Sequence, residues 1–67
     1  MKPKAIGKLA PLYSRSIYDE FGETVQYLEP LPDGTWRGWE VYPEGDISDK
    51  QTFAMDIIPL GYRAVQP

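Results

Sequence analysis

The chain has 67 residues, with seven lysines and arginines against ten aspartates and glutamates, and it contains neither histidine nor cysteine. A chain this short holds a single small domain, here spanning residues 1–67, and the lack of disulfides favours the cytoplasm. Without histidine or cysteine it can assemble no Ser-His or Cys-His nucleophile and no cysteine-ligated metal centre, so we predict a protein that is not an enzyme and carries no cofactor or metal.

The N-terminal segment is the basic part of the chain. Up to Arg15 there are four basic residues and no acidic one, and we expect residues 1–5 to form a flexible basic arm. Such a segment suits contacts with phosphate or with an acidic partner, but four charges without an arginine cluster favour a solvated terminus. No apolar stretch has the length of a secretory signal or a membrane span, so the sequence predicts neither.

Residues 12–19 fit two local structures. Tyr13, Ile17 and Tyr18, followed by Gly22, suit a strand that turns into the next element. A short helical turn from Ser16 to Phe21 fits as well, because Ile17 and Phe21 are one helical turn apart. The sequence leaves both alternatives open.

The segment from Thr24 to Tyr42 predicts a β-hairpin. Two runs rich in β-branched and aromatic residues flank the turn sequence Leu31-Pro32-Asp33-Gly34, which suits a three-residue loop with a type I turn and a glycine bulge. If Leu31 pairs with Thr35, three well-matched pairs align on one face: Glu29 with Arg37, Tyr27 with Trp39, and Val25 with Val41. A one-residue slip would break all three pairs, so we predict this register.

Beyond Tyr42 the sequence predicts a loop at residues 43–46 and then one of two elements. A helix over Asp49–Ile58 would begin with a capping box formed by Ser48 and Gln51, whereas a strand over Thr52–Ile58 would turn Phe53, Met55 and Ile57 inward. The β-branched residues and Pro59 favour the strand. A final short strand is predicted at Tyr62–Val65, after a turn at residues 59–61.

Together these elements predict a mainly β domain. We expect a small four- to five-stranded antiparallel meander or SH3-like open barrel around the Thr24–Tyr42 hairpin, with one short helical turn as the remaining alternative. The similarity to SH3-like barrels concerns the fold and carries no function. Because chains of this size bury little apolar surface, the sequence also predicts a homodimer or a larger homo-oligomer.

We predict different roles for the two faces of the hairpin. Val25, Tyr27, Trp39 and Val41 form the predicted core face, and alternation then places a candidate binding surface on the other side, made of Trp36, Pro30, Leu28 and Tyr42. In so thin a domain both faces could be covered, which would make Trp36 a core residue. The polar residues Thr24, Gln26 and Glu40 on its side suit a partly wet surface, and an exposed tryptophan suits an interaction site.

Two groups of carboxylates are further candidate sites. Residues 44–49 carry three acidic residues and a serine, which suits a hard cation such as Ca²⁺, but their spacing matches no EF-hand loop. Residues 19–23 carry three more, and hydrolysis by paired carboxylates also needs an enclosing cleft that so short a chain rarely forms. We interpret both groups as solvated carboxylates.

The sequence thus predicts a small non-catalytic interaction module that engages a protein partner through the aromatic hairpin face or a strand edge. The alternative is a nucleic-acid-binding module that uses the basic N-terminal segment and stacks bases on Tyr13 or Trp36. The net charge of −3 disfavours nucleic acid, and we predict no membrane association.

Overall fold

The computed structural model describes residues 12–65, which form five β-strands and no helix. The strands are β1 (Tyr13–Asp19), β2 (Gly22–Pro30), β3 (Thr35–Val41), β4 (Gln51–Ala54) and β5 (Arg63–Ala64). They form one antiparallel sheet in the order β4-β3-β2-β1-β5, a four-stranded meander that β5 extends by returning beside β1. The predicted fold class, a small antiparallel β-meander, is confirmed.

The β2–β3 hairpin has the predicted register. Val25, Tyr27 and Glu29 pair with Val41, Trp39 and Arg37, respectively. The Leu31 N–H donates to the Thr35 carbonyl at 2.8 Å, and the Gly34 N–H donates to the Leu31 carbonyl at 3.1 Å. Gly34 has φ +91°, which residues with a side chain rarely adopt, so the glycine bulge is confirmed as well.

The connection between β3 and β4 repeats this turn, where the sequence predicted only a loop. The Tyr42 N–H donates to the Asp46 carbonyl at 2.8 Å, and the Gly45 N–H donates to the Tyr42 carbonyl at 2.8 Å. Gly45 has φ +99°. Residues 32–34 and 43–45 share the pattern proline, acidic residue, glycine, and this shared pattern explains the shared geometry.

A β-bulge lies between this second turn and β4. Ile47 forms a bridge with Val41, whereas Gln51 pairs with Gly38, so residues 48–50 lie opposite only two residues of β3. One extra residue in a strand reverses the faces to which all later side chains point. The bulge therefore determines that Phe53 lies on the same face as Trp36, its partner in the register.

Both segments with open alternatives are strands. Residues 13–19 form β1 instead of a helical turn at Ser16–Phe21, because every residue from Tyr13 to Asp19 pairs with β2. The strand predicted at Thr52–Ile58 occurs at Gln51–Ala54, and Ile57, which we expected inside, is 78% exposed. The final strand is confirmed, at Arg63–Ala64.

The position of the core differs from the prediction. Leu28, 5% exposed, is the one buried hydrophobic side chain among residues 12–65, and it lies on the face opposite the predicted core. The predicted core residues Val25, Tyr27, Trp39 and Val41 are only half-buried. That prediction is therefore wrong, because Leu28 and Phe53 pack over the backbone of Gly38: a Cβ on this glycine would lie 3.1 and 3.0 Å from them.

Residues 1–11 and 66–67 lie outside the described part of the chain. The basic arm at residues 1–5 belongs to them and stays a prediction. Between Leu12 and Val65 no helix is long and apolar enough to cross a membrane.

Candidate functional site

The candidate site lies on the side of the sheet that carries Leu28, which we call the Leu28 face. Alternation along paired strands arranges its side chains in rows across the sheet. The first row contains Pro30, Trp36 and Phe53; the second contains Tyr13, Leu28, Gly38 and Gln51; the third contains Arg15, Gln26 and Glu40. An aromatic row thus lies at one end of the face, and a polar row lies beyond Leu28.

An open groove of about 260 Å³ lies over the second row. Its lining combines the buried Leu28 with the aromatic residues Phe53 and Tyr62 and with polar residues: Gln26, Glu40, Ser48, Asp49 and Gln51. Gly38 and the adjacent strand residues Tyr27 and Trp39 complete the lining. Phe53 is 40% exposed, so much of its ring remains available to another molecule. The groove offers an apolar floor, two aromatic walls and an oxygen-rich rim.

The polar row is held by a chain of hydrogen bonds across three strands. Arg15 Nε and Nη2 donate to Gln26 Oε1 at 2.9 and 2.7 Å, and Gln26 Nε2 donates to Glu40 Oε2 at 2.6 Å. Arg15 Nη1 also donates to the Leu60 carbonyl at 3.0 Å, and its guanidinium lies 4.5 Å from the centre of the Tyr62 ring. These contacts fix the Gln26 amide and the wall of the groove formed by Tyr62.

The rim of the groove is acidic. The Glu40 and Asp49 carboxylates both line it, and the single ion pair between residues 12 and 65 joins Arg37 to Glu29 on the opposite face, at 2.9 Å. Arg15, the one cation of the polar row, donates hydrogen bonds to the neutral Gln26 amide. Within the described chain, the negative charge at the rim therefore has no basic partner.

The pKa of Tyr42 responds to the negative charge at the rim of the groove. Its partial removal from water raises the pKa of the phenol, and the nearby Glu40 carboxylate raises that pKa further. Both effects favour the neutral phenol, which can donate a hydrogen bond. Tyr42 therefore adds a neutral donor beside the acidic rim.

The structure brings together three of the four residues predicted as a binding surface. Trp36 pairs with Pro30, and its ring lies 5.8 Å from that of Tyr13. Leu28 lies in the next row, but it is buried and forms the floor of the groove. Tyr42 is 37% exposed and lies beyond the polar row, so Glu40 separates it from Trp36 along β3.

Sequence reasoning missed the two aromatic walls, Phe53 and Tyr62. Phe53 was assigned to a predicted strand, but only the bulge at residues 48–50 places it on the Leu28 face. Tyr62 reaches the groove because β5 returns beside β1, and this pairing left no local signal in the sequence. The repeated proline–acid–glycine pattern was the available signal for the β3–β4 turn.

The two groups of carboxylates noted in the sequence, at residues 44–49 and 19–23, do not come together as a metal site. No three aspartates or glutamates of residues 12–65 lie close enough together to hold a metal ion. Glu23 Oε2 instead accepts hydrogen bonds from Ser16 Oγ at 2.7 Å and from the Tyr18 hydroxyl at 3.2 Å, and all three side chains are exposed. Comparisons of the chain with protein-family models, curated proteins and solved structures found no significant match.

Proposed function

We propose that the protein is a small non-catalytic interaction module that binds a peptide segment of a protein partner in the groove of the Leu28 face. The observation that carries this proposal is the groove itself, with Leu28 as its floor, Phe53 and Tyr62 as its walls, and carboxylates at its rim. Partly exposed aromatic side chains around an apolar floor are typical of protein-binding surfaces. The absence of histidine and cysteine suits binding rather than catalysis.

The chemistry of the rim indicates the kind of peptide. Glu40 and Asp49 favour a lysine or arginine, since neither has a basic partner in the described part of the chain. The aromatic walls can pack on the aliphatic stem of such a side chain, and Trp36 and Pro30 extend the apolar surface along the sheet. We expect the partner to present a basic residue next to an apolar one, in a reducing compartment such as the cytoplasm.

Selection from a random peptide library by the full chain tests this function. Enriched peptides should contain lysine or arginine beside an apolar residue, and their affinity should fall as salt concentration rises. Asp49→Asn and Glu40→Gln should each weaken binding about three- to tenfold. Glu44→Gln, which changes an exposed carboxylate outside the groove lining, is the matched control and should leave affinity unchanged.

Two outcomes would contradict the proposal. One is the absence of any enriched peptide. The other is binding that Glu44→Gln weakens as much as Asp49→Asn does, because such binding would depend on net charge and not on the groove.

A further inference from the structure

The outer edge of β4 is the second surface of this sheet with unsatisfied binding capacity. Among residues 12–65, β4 is the last strand on its side of the sheet, and all four of its residues, Gln51–Ala54, are exposed. These residues include no charge and no proline, two of the features that prevent an edge strand from pairing. The opposite edge, β5, is only two residues long and carries Arg63.

The hydrogen-bonding pattern shows which groups of β4 face outward. The Leu31 N–H bonds to the Thr35 carbonyl, so alternate residues of β3, beginning with Arg37, bond to β2. The residues between them bond to β4, as the Ser48 N–H does to the Glu40 carbonyl at 2.9 Å. Through the Trp36–Phe53 register, Phe53 and Gln51 bond inward, and the N–H and C=O groups of Thr52 and Ala54 point away from the sheet.

We propose that two copies of this chain pair through their β4 edges as antiparallel strands about a two-fold axis at Phe53. Such an axis is perpendicular to the sheet, so the Leu28 faces of the two copies lie on the same side of the joint sheet. This symmetry allows only registers in which one residue pairs with its own copy across the axis. With Phe53 on the axis, Thr52 of each copy lies opposite Ala54 of the other, and the outward groups of both residues bond. The two Phe53 rings then meet in a non-hydrogen-bonded pair, where side chains approach most closely.

Charge supports this register over its neighbour. With Phe53 on the axis, continuation of the pairing past both ends of β4 would place Lys50 of each copy opposite Asp56 of the other, on the face opposite the Phe53 rings. A register with Thr52 on the axis would place Lys50 opposite Ala54 instead. Leu28 is the one buried hydrophobic side chain between residues 12 and 65, so contact between the two Phe53 residues, which covers part of each exposed ring, would add to the apolar surface that the sheet buries.

The first experiment measures the mass of the full chain by sedimentation over a range of concentrations. We expect a species of twice 7.6 kDa and a weakening of about tenfold or more in Thr52→Pro, which removes one outward N–H from each copy. That N–H makes no bond to β3, so the circular dichroism of the variant should stay that of the wild type. Thr52→Val keeps the N–H and should dimerise normally.

The second experiment tests the register through charge. Lys50→Glu and Asp56→Lys should each weaken the dimer, and the double variant should restore it. The double variant still lacks the contact of the Lys50 ammonium with the Trp39 ring within each copy. Since the chain has no cysteine, Phe53→Cys should form a disulfide-linked dimer under oxidation, whereas Thr52→Cys should not. A monomer at all concentrations, a dimer that Thr52→Pro leaves intact, or faster cross-linking through Thr52→Cys would overturn the proposal.

These variants lie at the edge and not in the groove lining, apart from Phe53. Loss of dimerisation in Thr52→Pro with intact peptide binding would therefore separate the edge from the groove. Loss of peptide binding in Asp49→Asn with an intact dimer would do the reverse.

Discussion

The Ser48 hydroxyl accepts a hydrogen bond from the backbone N–H of Glu40 at 2.8 Å. Ser48 lies in the bulge that precedes β4, so its side chain satisfies a donor of β3 that a regular ladder would pair with a carbonyl. The same hydroxyl donates to the Asp49 carbonyl at 3.3 Å. A single short side chain thus holds the irregular segment against β3 and, through it, the position of Phe53.

Removal of this hydroxyl should loosen the bulge. Ser48→Ala leaves the partly buried Glu40 N–H without its acceptor, and we expect a loss of about 1 kcal/mol in the free energy of unfolding. Urea denaturation measures the loss, and amide hydrogen exchange should show faster exchange at Glu40. Ser48→Thr retains the hydroxyl and should stay close to the wild type; equal losses in both variants would show that the hydroxyl has no such role.

The two proline–acid–glycine turns should respond alike to substitution. Gly34 and Gly45 have φ of +91° and +99°, and a Cβ on either would meet nothing within 4 Å. The cost of Gly34→Val or Gly45→Val therefore comes from backbone strain alone, about 1–2 kcal/mol each. Thermal melts measure it, and Gly34→Asn and Gly45→Asn should cost less, because asparagine tolerates positive φ better. A large difference between the two valine variants would contradict the shared geometry.

The first turn should also confer a dependence on acid pH. Asp33 Oδ1 accepts hydrogen bonds from the Thr35 hydroxyl at 2.6 Å and the Thr35 N–H at 3.0 Å, and these bonds lower the pKa of Asp33 below its ordinary value of 3.8. The folded state then binds this proton less readily than the unfolded state does. The contribution of Asp33 to stability is therefore complete above pH 3.8 and is lost as pH falls through the lowered pKa.

An NMR titration of Asp33 checks this direction. In Thr35→Val, which lacks the hydroxyl, the pKa of Asp33 should move back toward 3.8. In melts, the difference in midpoint between the wild type and Asp33→Ala should shrink on acidification. A difference in midpoint that stays constant with pH would mean that the hydrogen bonds of the ionised Asp33 carboxylate do not stabilise the fold.

The two tryptophans should contribute similarly to stability and differently to binding. The Trp39 ring stacks on Tyr27 at 5.5 Å, and the Trp36 ring lies 5.8 Å from Tyr13, so each half-buried indole has one aromatic neighbour. We expect Trp36→Ala and Trp39→Ala each to cost about 2 kcal/mol, below the range for fully buried aromatic residues. Trp39 is among the residues that line the groove, whereas Trp36 lies in the neighbouring aromatic row, so Trp39→Ala should weaken the peptides selected by the groove more than Trp36→Ala does.

Gly38 should tolerate no side chain without a change in the groove. A Cβ there would lie 3.0 Å from Phe53 Cε2, 3.1 Å from Leu28 Cδ2 and 3.3 Å from the Tyr27 carbonyl oxygen. Gly38→Ala should therefore displace the Phe53 ring and cost about 1 kcal/mol, together with weaker peptide binding. Chemical-shift changes at Phe53 would report the displacement, and an unchanged Phe53 spectrum would contradict this packing.

The hairpin could be predicted from the sequence because its information is local. The turn chemistry at residues 31–35 and three complementary pairs act within one segment, and together they define a single register. The position of the core could not be predicted in this way. It depends on Phe53, whose face is set by one extra residue in the bulge, and on Gly38, whose missing side chain makes room for its neighbours.

The residues of the candidate site also differ in whether local sequence information predicts their position. Trp36, Pro30 and Leu28 share a face because alternation within one hairpin requires it. Tyr62 joins them only through the pairing of β5 with β1, between residues about fifty positions apart. Long-range pairing of a two-residue strand leaves no pattern that a period of two could reveal.

Trp36 and Trp39 are the two tryptophans of the chain, and they point to opposite sides of one sheet. Each side therefore has its own intrinsic fluorophore, with no need for an attached dye. In Trp36→Phe the emission comes from Trp39, which lines the groove, and in Trp39→Phe it comes from Trp36, which lies beside Tyr13. A ligand in the groove should therefore change the emission spectrum of Trp36→Phe more than that of Trp39→Phe, whereas unfolding would change both.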